Sequence, residues 1–128
     1  MSSWLTAEWF DQVLGLASSL PDRPGVTARI QEQFTGGPDG DVSCYWEVED
    51  GRPVAAAAGT IDDADVTLTL SWSDGAAVHA GTLDPSVAFM QGRMKVAGSM
   101  GVTLALLPVA REPDGLEWRR QVAAITEF

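Results

Sequence analysis

Apolar residues recur at three- and four-residue spacing over the first twenty positions: Leu5, Trp9, Val13, Leu16 and Leu20, with Phe10, Leu14 and Ala17 beside them. That period predicts an amphipathic helix from Thr6 to Leu20. Thr6 is placed to cap its first N–H groups, and Pro21 and Pro24-Gly25 end it. The period then changes to two. Val26, Ala28, Ile30 and Phe34 share one face of a strand from Val26 to Phe34, a face that Glu32 interrupts. Either the strand bulges or emerges there, or Glu32 is a polar group at the mouth or wall of a ligand cavity. A buried carboxylate needs partners or must neutralise. Val42, Cys44, Trp46 and Val48 alternate along Asp41–Glu49, and Asp50-Gly51 is a strong hairpin turn. The next strand, Pro53–Ala58, is alanine-rich, which suits an edge position or an inner face with space left on it. Val66, Leu68, Leu70 and Trp72 alternate with Thr67, Thr69 and Ser71 in the clearest strand, Asp65–Trp72.

Helical signals return after that strand. Ser73-Asp74 opens a short helix through Ala80, ended by Gly81. Asp84-Pro85 opens another, because aspartate caps free N–H groups and proline at the first helical position loses no hydrogen bond. Gly92 stops it. Met94–Gly98 alternates as a short strand, and Ser99 offers a cap for a helix beginning at Met100. Val102–Leu107 is almost wholly apolar, so that helix is expected to be buried or to line a cavity, with Pro108 ending or kinking it. A last helix spans Pro113 to about Thr126, with Trp118, Val122 and Ile125 inward and Arg119 and Arg120 in solvent. Three strands in meander order, then two more separated by helices, predict an α+β layer with helices on one face of the sheet and Thr, Ser and Glu positions facing water.

The run from Leu83 to Gly101, LDPSVAFMQGRMKVAGSMG, resembles the signature of the sterol carrier protein 2 (SCP2) family of lipid-binding domains. The matching residues are Asp84, Pro85, Ala88, Phe89, Met90, Gln91, Gly92, Arg93, Gly98, Met100 and Gly101. Asp63–Trp72 resembles the strand that precedes the signature, and the likeness is specific from about Asp63 to Leu107. Ser99 stands where the family often has Asp or Asn, and serine caps equally well. The resemblance implies a five-stranded mixed sheet covered on one face by helices, with an apolar tunnel between the layers.

The chain of 128 residues is expected to form one domain, 1–128, with a real core. Its net charge of −10, from 18 acids against 8 bases, sets nucleic acid aside and disfavours adhesion to an anionic membrane. Cys44 is the one cysteine, so no intrachain disulfide forms. No basic region followed by an apolar run opens the sequence, and no stretch reaches the roughly 18 apolar residues of a spanning helix. Thr126-Glu127-Phe128 is not a Ser-Lys-Leu-type address. The expected compartment is the cytoplasm.

Catalytic sets are not gathered anywhere in the sequence. His79 reads as a surface or packing histidine. Cys44, on an apolar strand face, reads as an inert thiol. Asp62, Asp63 and Asp65 read as a solvated acidic turn, and Gly98-Ser99-Met100-Gly101 lacks the lysine and spacing of a Walker loop. Neither a cofactor nor a metal is expected. What remains is apolar surface, with Phe89, Met90, Met94 and Met100 clustered in the family-like segment. The resemblance implies an intracellular, non-catalytic carrier of a fatty acid, acyl chain or sterol-like ligand. Its walls would include Trp46, Leu68, Leu70, Trp72, Phe89, Met90, Met94, Val96, Met100 and Leu104. Gln91, beside the turn at Gly92, either hydrogen-bonds a head group or ties down the loop. The other expectation is an accessory or oligomerisation module, since SCP2-like domains also occur fused to enzymes; its partner would be a second copy or an enzyme. Space discriminates the two. An internal apolar cavity favours a ligand, and an exposed tryptophan patch, with Trp4 and Trp9 mediating self-association, favours a protein.

Overall fold

The period-two segments assemble into one sheet. A computed structural model describes the backbone of residues 1–128 and the side chains of all but Ala110. In chain order the elements are β1 (Ser2–Ser3), α1 (Ala7–Ala17), β2 (Ala28–Gly37), β3 (Gly40–Glu49), β4 (Arg52–Ala58), β5 (Val66–Ser71), α2 (Trp72–His79), α3 (Pro85–Met90), β6 (Lys95–Gly98), α4 (Met100–Arg111), α5 (Pro113–Ala124) and β7 (Thr126–Glu127). The fold is α+β, with a five-stranded mixed sheet in the order β4-β3-β2-β5-β6. Strands β2, β3 and β4 form an antiparallel meander. Strand β5 runs parallel to β2, and β6 returns antiparallel to β5. The alanine-rich strand is an edge, as its small side chains suggest.

Local chemistry explains most boundaries. Asp50 and Gly51 both take positive φ, 49° and 82°, the backbone of a tight two-residue hairpin turn. Helices α1, α2, α3 and α4 all begin behind a side-chain cap. Thr6 accepts from the Trp9 amide, Ser71 from Asp74, Asp84 from Ser86 and Ser99 from Val102. Pro113 opens α5 without a side-chain cap. Gly98 has a φ of 105°, and a Cβ there would lie 2.5 Å from the Asp65 carbonyl oxygen, so β6 can close onto β5 only with glycine at this place.

Several expectations shift. Trp72 does not close β5; it is the first residue of α2, because Ser71 already acts as a cap. Helix α1 stops at Ala17, before Leu20. Pro108 neither ends α4 nor stands at its terminus: the helix continues to Arg111. Pro108 and Leu104, whose carbonyl loses its helical partner, are both exposed, so solvent can replace the missing bond. The short pair β1–β7 carries no periodic signal and runs parallel, Ser2 opposite Thr126 and Ser3 opposite Glu127. The core lies between the sheet and the helices, with Trp9, Val13, Phe34, Cys44, Val66 and Leu70 all but sealed from solvent. Among the described residues, no helix is long and apolar enough to cross a membrane.

Candidate functional site

Strand register fixes the inner face of the sheet. Ile30 lies opposite Trp46 on one side and Val66 on the other, and Phe34 lies between Val42 and Leu70. Glu32 sits between them, paired with Cys44 and Leu68. The strand irregularity comes later, between Phe34 and Gly37, so Glu32 is not on a bulge. Its carboxylate points with Ile30 and Phe34 into the layer between sheet and helices, where the residue is only 7% exposed.

That layer contains a cavity of about 250 Å³. Its sheet wall includes Ile30, Trp46, Leu68 and Leu70. Leu106, Leu107 and Thr103 of α4, with Trp118 and Val122 of α5, form the opposite wall. Met94 contributes from the turn before β6. The expectation that Val102–Leu107 is buried or lines a cavity therefore describes one side of α4, since Leu104 is 59% exposed.

Four of the residues expected in a binding wall meet here: Trp46, Leu68, Leu70 and Met94. The cavity does not gather the other seven. Trp72, Phe89 and Val96 are partly buried and pack against the core from outside the cavity. Met90 is 84% exposed and Gln91 is also exposed, so α3 and its following turn present these side chains to solvent, as the first turn of α4 presents Met100, 44% exposed. Gln91 accepts from Arg93 instead of reaching inward. The periodicity of so short a helix does not say which side faces the sheet, whereas Ala88, its sealed position, is too small to signal burial.

The polar part of the cavity is a cluster of which the sequence marks only Glu32. His79 of α2 places Nε2 3.3 Å from both carboxylate oxygens of Glu32. The Trp4 indole N–H donates to His79 Nδ1 at 2.8 Å. An indole N–H only donates, so Nδ1 accepts and the ring carries its proton on Nε2, facing Glu32. Glu32 also accepts from the Trp46 indole at 2.5 Å and from the Cys44 thiol at 3.8 Å. Trp9 stacks on the imidazole, 5.6 Å between centroids and 9° between planes. Trp4, Phe34 and Trp46 meet the ring edge-on. Trp4 and Trp9 are thus interior residues and form no surface patch.

Burial alone would raise the Glu32 pKa. The imidazole beside it and the hydrogen bonds from His79, Trp46 and Cys44 outweigh burial and hold the carboxyl below its ordinary value. Burial, then the neighbouring Glu32 charge, pushes the Cys44 thiol far up, which leaves it a poor nucleophile. Both nitrogens of His79 are engaged within the protein, Nδ1 by Trp4 and Nε2 by Glu32. Among the described residues, no group of three His, Cys, Asp or Glu side chains is placed to hold a metal ion. One further polar group was misread from the sequence. Arg119 turns inward on α5 instead of reaching solvent, and its Nη2 donates to the carbonyl of Val78 at 2.8 Å.

Residues 11–111 match the SCP-2 sterol transfer family. The chain belongs to that family. Rat sterol carrier protein 2 is 41% identical over 51 residues, which are 40% of this chain and 9% of the rat protein. Chicken sterol carrier protein 2 is 31% identical over 78 residues, 60% of this chain and 14% of the chicken protein. The chain therefore spans only a small share of these curated SCP-2 relatives. A crystal structure of sterol carrier protein 2 superposes with a TM-score of 0.73 at 17% identity, covering 94% of this chain and 99% of that one. Palmitated SCP2L2 from Aedes aegypti superposes at 0.62 with 19% identity, covering 82% and 89%. At such identities the structures establish the SCP-2 fold of the sheet and helices, and residue roles do not transfer.

Proposed function

We propose that this chain binds the apolar tail of a lipid in the cavity between sheet and helices and carries it without transforming it. The observation that carries this reading is the cavity itself, walled by Trp46, Leu68, Leu70 and Met94 on one side and by α4 and α5 on the other. Burial of each methylene contributes about 0.8 kcal/mol, so a chain of some ten carbons offsets the cost of association with little polar help. Ligand sites commonly start at about 300 Å³, so the cavity suits a slender acyl chain better than fused rings. Its structural neighbours, among them a sterol carrier protein 2 and a palmitated SCP2L2, support the same class. The engagement of both His79 nitrogens and the masked Cys44 thiol support a carrier without chemistry of its own.

Native mass spectrometry of the purified protein, followed by solvent extraction, tests the reading. A mass excess lost on denaturation, with a discrete lipid recovered, is the expected result. If the protein is apo and neither fatty acids nor sterols shift its mass, the carrier reading fails. Leu107→Trp, which fills the cavity from the helical wall, should weaken a fluorescent fatty acid at least tenfold while the circular dichroism spectrum is kept.

A second reading, an accessory module that binds a protein partner or a second copy, is favoured by one observation. The same fold occupies 15% of an inverting sec-alkylsulfatase from a Pseudomonas species, superposing at a TM-score of 0.56, so it also exists as a minor part of a larger enzyme. Exposed Met90 and Leu104 give this chain an apolar surface for such a role. Concentration-dependent size-exclusion chromatography of the apo protein separates the two readings.

A further inference from the structure

We propose that Arg119 anchors the head group in this cavity and that the cargo is an anionic amphiphile, a long-chain carboxylate, in preference to a neutral sterol or alcohol. The inference rests on the carrier reading. It follows from an inventory of the charges on the cavity wall. Glu32 is satisfied by donors from Trp46, Cys44 and His79. Arg23 is paired with Glu112. Asp114 is exposed in the first turn of α5, where the helix N-terminus favours a negative charge. Arg119 is different. It lines the cavity and is partly buried, yet no carboxylate lies within 4.0 Å of it among the described residues.

Its protein partners are backbone carbonyls, and they use one nitrogen. Nη2 donates to Val78 at 2.8 Å and to Leu83 at 3.4 Å. Those carbonyls lie at and beyond the last turn of α2, so they hold the guanidinium in place without neutralising it. Its Nε and Nη1 make no protein hydrogen bond, and no buried nitrogen or oxygen among the described residues lacks a partner, so these donors open to the cavity or solvent. Asp84 is the carboxylate whose charge Arg119 senses, but Asp84 already caps α3 and meets Arg111 at 3.4 Å. A guanidinium fixed on an apolar wall with donors to spare is suited to a planar carboxylate, which it can meet with two parallel hydrogen bonds. The same wall gives a neutral ring system no matching partner.

Equilibrium binding of palmitate, hexadecanol and cholesterol to wild type, Arg119→Met and Arg119→Lys tests the assignment. Wild type should bind palmitate at least tenfold more tightly than hexadecanol or cholesterol. Arg119→Met should lose that preference, weakening palmitate at least tenfold and leaving hexadecanol within twofold. Arg119→Lys should recover part of the palmitate affinity. Equal weakening of palmitate and hexadecanol in Arg119→Met would make Arg119 a structural tie to α2 and overturn the proposal, as would unchanged palmitate affinity. A wild-type preference for cholesterol or hexadecanol would overturn the anionic cargo while leaving the carrier reading in place. Failure of all three probes with wild type would sink both.

Discussion

The two walls of the cavity are built on different principles. The sheet wall is an array in which register decides everything: Ile30, Glu32 and Phe34 take their neighbours from β3 and β5 at fixed spacing. The helical wall is made by α4 and α5, whose apolar residues point both ways. Thr103 is buried and Leu106 and Leu107 line the cavity, while Met100 and Leu104 on the same helix are 44% and 59% exposed. A strand in a fixed register has one inner face, so each side chain is either in or out. A helix that is apolar nearly all round can meet the sheet through a choice of faces, and packing alone picks one. The sheet wall should therefore be stiff and intolerant, and the helical wall forgiving.

The largest test of that contrast is Phe34→Ala. Phe34 is sealed from solvent and packs against Gly75 of α2, where even a Cβ would overlap its ring. The loss should be about 4 kcal/mol in urea unfolding. A loss below about 1 kcal/mol would mean that the sheet wall also relaxes. Next comes Glu32→Gln, expected to cost about 2 kcal/mol at pH 7 by presenting an amide to the donors of Trp46 and His79. Because the folded state holds the Glu32 carboxyl below its ordinary value, its contribution is complete above about pH 4.3, the unfolded value, and is lost as pH falls through the lower folded value. The gap between wild type and variant should narrow over that acid range, and a gap that is constant with pH would contradict an ionised Glu32. On the helical wall, Ser99→Ala removes the α4 cap and should cost about 1 kcal/mol, read as a lower thermal midpoint. Leu104→Ser should change stability by less than about 0.5 kcal/mol. A larger loss would show that the outer face of α4 is covered in solution.

The same contrast explains what could be read in advance. Val66, Leu68 and Leu70 alternate without fault, and the strand, its inner face and the fold follow from them. Trp46, Leu68, Leu70 and Met94 were legible as cavity wall because strand parity, or direct attachment to a strand, placed them. Met90, Met100 and Leu104 were expected in that wall and lie outside it, since their helices carry apolar residues on more than one side. Glu32 was visible as an interruption of a strand face, but the sequence left open whether it was a bulge or a cavity wall. His79 gave no such sign, for the contact that defines it spans 47 residues and needs two elements in place. Arg119 follows the same logic. An arginine beside another on a helix reads as solvated, and only the carbonyls ending α2 turn it inward.

The small β1–β7 pair carries a consequence for the order of folding. It joins the two ends of the sheet-and-helix body with few hydrogen bonds, Ser2 to the Ile125 carbonyl at 2.8 Å and Trp4 to that of Glu127 at 2.9 Å. So short a pairing, closing so long a loop, cannot nucleate anything. It is expected to form after the sheet, α1 and α5 have brought its halves together, and to open before they separate. Trp4 runs directly from this pair into the aromatic cage around His79. Opening of this half-buried pair would thus unseat an indole at the centre of the molecule. Hydrogen exchange at the Ser2 and Trp4 amides would time the moments when the buried polar cluster first meets water.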